Sequence, residues 1–495
     1  AEAERPLAVE AQAAIKRLRE GMTRRIMAVA PGQGGALVAA SITGDRAAIS
    51  PETDKALRDA GLAHLIAISG LNMALATGVV FFATRAALAA IPAVALRWPI
   101  KKWAALAALA AGLFYIVISG GAWSAWRAFI MAAVVLVAIL VDRRALSMRN
   151  VAIAATIILV LTPEAVAQPG FQMSFAAVAA LIAAYVWWRA RRGAEDHDRG
   201  ILARARRYAV GLVATDVVAS SATGFFSLHH FHRAALFGLP ANILAGPLIA
   251  FVLMPFAVIG VALMPFGLDP LAMKIAALGG DGVVAVGRLI AGLPGGVLTT
   301  PPAPPLALAL ATAGGLWLCL NHAPWRLLGA APLALAILLF ATARPPDLLV
   351  SPKGDLAALS LPGERRLAVA GAGARNAFTL GVWMEAVGLD KDRDRTTPLR
   401  LKADCRDGVC LVTRRGAGIA VTQDAAAAAR ACAGAFDLVV ALNAAPSQCA
   451  ARMIGPGEAK SDGAHAVVIR RDGTLVVRTV SAARGKRPWS APFAP

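Results

Sequence analysis

A few polar and charged residues stand inside long apolar runs of this chain, and their types decide which chemistry is open to it. In HLIAISGLNMAL, His64 to Leu75, the run is interrupted by His64, Ser69, Gly70 and Asn72. Arg127 follows Trp123 and Trp126 in GAWSAWRAFIM, Gln172 and Ser174 lie in PGFQMSFAAVAAL, and Asp216 is a lone acid in an apolar stretch. SLHHFHR gathers His229, His230, His232 and Arg233, and Asn242 lies between Pro240 and Pro247 in PANILAGP. An unsatisfied polar group in hydrocarbon costs several kcal/mol, so such groups face a protein interior or a wet path. Plainer readings stand beside the functional ones. Arg127 could snorkel at an interface within an aromatic belt. Gln172 and Ser174 could join helices by hydrogen bonds, and Asn242 could satisfy a broken backbone of its own. Asp216 calls for a cationic or hydrogen-bonding partner, for which Arg127 is the candidate. The histidines could titrate or bind metal, although a polar rim suits an interface better.

The elements that must hold these residues are membrane helices. The chain is 58% hydrophobic and 16% charged over 495 residues. About ten apolar segments near spanning length fall at 62–84, 103–119, 125–141, 151–162, 171–188, 208–226, 234–264, 272–292, 305–320 and 327–342. The block 234–264 is too long for one plain helix and reads as a broken helix or a re-entrant pair. The fold class is therefore a polytopic α-helical membrane protein with a small soluble α/β C-terminal domain. Its regions are 1–61, an amphipathic interfacial lead-in; 62–343, the transmembrane domain; and 344–495, the soluble domain. In the lead-in, Ile15, Leu18, Met22 and Ile26 recur at helical spacing among Lys16, Arg17, Arg19, Arg24 and Arg25, as in a helix lying on a membrane or a solvated linker helix. A second short helix starts at Ser50-Pro51-Glu52, with a capping Ser and an acid at the positive dipole end.

The net charge of +20 can reflect topology rather than anionic partners and does not by itself indicate nucleic-acid binding. Arg85, Arg97, Lys101 and Lys102 follow the first segment, Arg143, Arg144 and Arg149 the third, and Arg189, Arg191, Arg192, Arg204, Arg206 and Arg207 the fifth. These loops are expected in the cytoplasm, which places the N-terminal region and the tail outside it. In the tail, AHAVVIRR-DG-TLVVRTV and LAALSL-PGE-RRLAVA read as hairpins, FDLVVAL as a buried strand, and 374–388 and 423–434 as helices. Cys319 lies in an apolar segment as a small inert residue. Cys405 and Cys410 flank an Asp407-Gly408 turn that would bring the sulfurs across a hairpin, and Cys432 and Cys449 would form a second pair, with free thiols as the alternative. Metal spacing is wrong, since His465 is the tail's one histidine and the cysteine gaps are irregular. No metal or other cofactor is expected.

Taken in order, these strings resemble a family. HLIAISGLNMAL is similar to the HLLAISGLH-type signature of ComEC-type competence proteins, and GDRAAISPETDKALRDAGLAHL to the approach to it. GAWSAWRAFIM resembles the family's Arg-Ala motif, PGFQMSFAAVAAL its P-x-F-Q-L-S-F-x-A-V motif and PANILAGPL its Asn-containing broken segment. The resemblance covers roughly residues 35–320. It implies a channel in the bacterial cytoplasmic (inner) membrane that imports single-stranded DNA during natural transformation. A periplasmic DNA-binding competence protein and a cytoplasmic ATP-driven helicase or motor would be its partners, beside membrane lipid. For such a path Arg127 would offset phosphate, with Gln172, Asp216, Asn242, His229, His230 and Arg233 as further lining and His64, Ser69 and Asn72 shaping an entrance.

The chain departs from the family pattern in three places. The OB-like domain that usually precedes the membrane region is not in the sequence, which begins at Ala1 and reads as starting downstream of a natural start. Asn72 stands where the signature has His, removing a titratable group but keeping a donor and an acceptor. The tail resembles a degenerate metallo-β-lactamase-like domain without the H-x-D-x-D-H motif that two-metal phosphodiester hydrolysis requires. With no G-x-x-x-x-G-K-S/T loop either, neither nuclease nor ATPase activity is expected. Two other classes fit the same residues: a small-solute or lipid transporter, with a closed midplane pocket, and a membrane anchor displaying an extracytoplasmic DNA- or partner-binding domain.

Overall fold

The structure, a computed structural model, describes residues 7–66, 68–191, 200–321, 323–361, 363–371, 376–390 and 394–485. Ala67 of the signature, Arg192, and residues 374 and 375 of the expected tail helix lie outside them. The chain divides into a helical unit (Ala1–His230, Ala234–Leu298 and Leu308–Ala336) and a second unit (Phe231–Arg233, Thr299–Ala307 and Ile337–Pro495).

The helical unit begins with α1 (Leu7–Val29), α2 (Gln33–Thr43), α3 (Pro51–Asp59) and α4 (Ala63–Ile66). The second half of α1 buries Met22 and Ile26 in the main core, while Leu18 in the first half is exposed. Helix α2 was not expected from the sequence. Every one of its residues from Gly34 to Thr43 is buried, and at about 16 Å it is too short to cross a bilayer. The Ser50 hydroxyl caps α3 by accepting from Thr53 N–H at 3.2 Å, as the Ser-Pro-Glu start predicts.

The ten expected apolar segments are helical. They form α5 (Gly70–Ala89), then after the short α6 (Pro92–Arg97) come α7 (Ile100–Ile118), α8 (Trp123–Leu140), α9 (Met148–Leu161), α10 (Pro169–Arg191) and α11 (Ile201–Phe231). The set continues with α12 (Gly238–Pro247), α13 (Met254–Leu263), α14 (Pro270–Ala291), α15 (Pro305–Leu320) and α16 (Ala330–Ala341). Among the described residues, eight helical stretches are long and apolar enough to cross a membrane, while α9 and α15 are shorter. The block 234–264 is no re-entrant pair: α12, a π turn at Leu248–Leu253 and α13 run on as one apolar stretch, Gly238–Phe266. Pro247 and Pro255 each lack an N–H for the α ladder, and the wider π turn between them absorbs the mismatch.

The centre of the unit is α14 against α2. A Cβ on Gly280 would stand 2.6 Å from the Gly34 carbonyl oxygen, so the two backbones meet where only glycine fits. The Asp281 carboxylate accepts from Gly34 N–H at 2.7 Å at the start of α2, Tyr115 donates to the Ser41 carbonyl at its far end, and Arg19 donates to the Thr43 carbonyl at 2.9 Å. Short strands β1 (Arg233–Ala235) and β2 (Val297–Thr299) pair beyond α11 and α14.

The second unit holds two sheets. One orders as β13-β12-β3-β4-β5-β6, built from β3 (Leu348–Val350), β4 (Leu356–Ser360), β5 (Arg366–Gly371), β6 (Arg395–Pro398), β12 (His465–Ile469) and β13 (Leu475–Thr479). The other orders as β11-β10-β9-β8-β7, from β7 (Asp404–Arg406), β8 (Val409–Arg414), β9 (Ala417–Thr422), β10 (Leu438–Ala441) and β11 (Arg452–Ile454). Both expected hairpins are present, in the antiparallel pairs β4–β5 and β12–β13. Alternate residues face inward, Ala357, Leu359 and Val467 from one sheet meeting Ile419, Val421 and Val440 from the other. On the outer faces α17 (Ala377–Ala386) covers the first sheet and α18 (Ala425–Ala433) the second, giving an α/β/β/α sandwich; α19 (Pro456–Asp462) and α20 (Val480–Arg484) complete it.

Candidate functional site

Arg127 lies in the second turn of α8, and the guanidinium is seated on Gly170 at the start of α10: a Cβ there would stand 2.9 Å from both of its terminal nitrogens. Pro169 is preset for a first helical turn and Gly170 leaves the space that Arg127 fills. One helical turn before Arg127, the indole N–H of Trp123 is buried without a hydrogen-bond partner among the described residues. No charged group among the described residues compensates Arg127. Two residues past Gly170, the Gln172 side chain donates to the Val166 carbonyl at 2.9 Å and its Oε1 lies 2.7 Å from His230 Nε2, near the end of α11. His229 stacks edge-on against His230 at 5.1 Å. The first two turns of α8, the first turn of α10 and the last turn of α11 thus hold one group of residues that is rich in donors and carries an uncompensated cation. Such an arrangement accepts an anionic oxygen.

Asp216 does not pair with Arg127. Its Oδ1 accepts from Asn242 Nδ2 at 3.0 Å, joining α11 to α12, and its Oδ2 is buried without a partner among the described residues. Opposite charge suggested the wrong match because it carries no information about which helix faces which. An amide donor one helix away meets the carboxylate instead. Asn242 is therefore tied to a neighbouring helix and does more than satisfy its own broken backbone.

The remaining residues fall in other places. Ser69 caps α5, accepting from Asn72 N–H at 3.3 Å, and Asn72 is 1% exposed, so both serve the architecture of the signature turn. His64 keeps accessible surface although Leu62, Leu65 and Ile66 around it are buried. Arg233 belongs to β1 and clusters with the second unit. No group of three or more His, Cys, Asp or Glu able to hold a metal exists among the described residues.

Both expected cysteine pairs are disulfides. Cys405 and Cys410 face each other across β7–β8 with the Asp407-Gly408 turn between them, S–S 1.98 Å, and Cys432 joins Cys449 at 2.00 Å. Cys319 is free. His465 is buried in β12 with Nδ1 2.8 Å from the Gly463 carbonyl, a packed position.

Three features escaped the sequence reading. The indole N–H of Trp123 and the seat at Gly170 are contacts across helices that no string spells out. Arg25 in α1 forms an ion pair with Asp269 at the head of α14, Nε to Oδ2 3.1 Å, with Asp269 fully buried. The Asp269 carboxylate, through its hydrogen bond first and its charge second, holds the Arg25 guanidinium above its ordinary pKa. An Arg in a basic helix otherwise reads as a solvated face.

Comparison with known proteins places the cluster in a family. The model of the competence protein family matches residues 41–325, more than half of the chain, and takes in Arg127, Gly170, Gln172, Asp216 and Asn242. The chain belongs to the competence protein family. ComE operon protein 3 of Bacillus subtilis (strain 168) is 27% identical to this competence protein over 235 residues. That stretch is 47% of this chain and 27% of the relative, so the match spans little more than a quarter of the relative's length. No solved structure matches.

Proposed function

We propose that this competence protein is a passive channel that carries single-stranded DNA across the bacterial inner membrane during natural transformation. Family membership supports a role in DNA uptake, and the observation that carries the finer reading is Arg127. A guanidinium with no compensating charge, beside a buried indole N–H without an acceptor, leaves donors that a phosphodiester oxygen would satisfy. The Gln172–His230 pair beside it supplies polar surface for the strand, and the Asp216–Asn242 bond holds α11 to α12 along the same path.

The chain's part is conduction, with no hydrolytic step. The tail has one histidine, already engaged in a sheet, where metal-assisted hydrolysis needs a cluster of ligands. The pulling force then comes from an ATP-driven partner on the cytoplasmic face, and a periplasmic DNA-binding protein delivers the strand. Two disulfides favour an oxidising compartment for the tail, in line with the basic loops on the opposite side. The sandwich of two sheets between helices supports the reading of the tail as a degenerate metallo-β-lactamase-like domain.

The test uses a strand stalled in the membrane by a bulky 3′ block and carrying one photoreactive thymine. Adducts are expected on peptides spanning Trp123–Arg127 and Pro169–Gln172. Adducts confined to the tail would overturn the channel in favour of a membrane-anchored DNA-binding domain.

A further inference from the structure

Of the ten residues of α17, AFTLGVWMEA, Thr379 and Glu385 alone are polar. One face, with Leu380, Trp383 and Met384, packs on Leu349, Leu367 and Val369 of the sheet. The opposite face presents Phe378, 81% exposed, and Val382, 48% exposed, one turn apart. A helix that is apolar all round is one covered on both sides. The sheet covers one side of α17, and the question is what covers the other.

The end of the helix indicates the answer. Just past α17, the Gly388 carbonyl accepts a hydrogen bond from the Thr299 hydroxyl at 2.6 Å. A Cβ on Gly388 would stand 3.4 Å from Pro301 Cδ. Thr299–Ala307 belongs to the same unit as the tail, and Pro305 within it opens the apolar helix α15. Pro305 is four residue steps from Pro301, a reach of at most about 14 Å. The headgroup layer outside the hydrocarbon core is roughly 5–8 Å deep. The C-terminal end of α17 is therefore fastened close to the start of the apolar helix α15, the place where that helix would leave the headgroup layer if it enters a bilayer.

We propose that α17 is a membrane-contact helix that lays Phe378 and Val382 into the headgroup and acyl boundary of the leaflet where α15 begins, so that the occupant of its outer face is phospholipid. The proposal rests on the reading that the apolar helices of the chain cross a bilayer; it does not depend on DNA transport. Large apolar side chains on one face of a helix bound beside a membrane are the composition that interfacial binding requires.

The experiment places p-benzoylphenylalanine at position 378, and separately at Phe114 on the exposed face of α7, in the whole chain reconstituted into phosphatidylcholine and phosphatidylglycerol vesicles. After irradiation, adducts are identified by mass spectrometry. Lipid adducts at 378 with a yield comparable to those at 114 are expected. Lipid adducts at 114 with none at 378, or with protein adducts alone at 378, would overturn the proposal for α17. Absence at both positions would sink the membrane-spanning reading and the proposal with it.

Discussion

Arg127 and Gly170 make a lock that can be opened without touching the charge. Adding one methyl in Gly170→Ala puts a Cβ 2.9 Å from both terminal guanidinium nitrogens, so the guanidinium, at the end of a flexible side chain, must shift on its seat. The variant is expected to mimic Arg127→Ala in DNA uptake, whereas Arg127→Lys should keep part of the activity because a point charge still meets phosphate. Normal uptake in Gly170→Ala would show that the position of Arg127 is immaterial. Much of this was legible in residue types: Arg127, Gln172 and Asn242 stand out because polar groups in apolar runs need partners. Their pairing was not. Asp216 looked like the mate of Arg127 on charge alone, and the contact that exists, with Asn242, depends on how α12 lies against α11. Arg25 likewise read as one of many solvated cations. Truncating it in Arg25→Ala leaves the fully buried Asp269 without its cation and should lower the Tm in detergent; an unchanged Tm would show the pair to be incidental.

At the scale of elements, hairpins and long apolar helices were readable and α2 was not. Asp472-Gly473 between β-branched arms gives β12–β13, and each apolar run of about spanning length became a helix, because period and length are local signals. Helix α2 is buried on all sides, and its Gly- and Ala-rich sequence has no polar face to set a period. Its importance follows from the close approach of Gly34 and Gly280. Gly280→Val should overpack this contact by roughly 1–3 kcal/mol or prevent assembly of the helical unit, seen as loss of a monodisperse peak in detergent, whereas retention of the wild-type Tm would contradict the α2–α14 packing. In the tail, the spacing of the cysteines around a turn foresaw one disulfide, and the second closes the segment between α18 and the strand β11. Cys432→Ser with Cys449→Ser should cost about 3 kcal/mol on the loop-closure estimate for a loop of this size, a fall that thermal melts of the oxidised and reduced protein would register together.

Across the whole molecule, the charge of +20 has two uses that composition cannot separate. Cations after the first, third and fifth apolar segments are of the kind that would set orientation in a membrane, while Arg127, near the start of α8, faces no counter-charge among the described residues. A channel for a polyanion needs the second kind and is indifferent to the first. The most direct measurement is therefore the amount of labelled DNA internalised as single strands by cells whose full-length gene carries Arg127→Ala or Asn242→Ala, at matched membrane abundance. The account predicts a loss of roughly tenfold for Arg127→Ala, the effect of removing about 1.4 kcal/mol of charge-assisted contact, and a clear loss for Asn242→Ala. Normal uptake in both variants would contradict it.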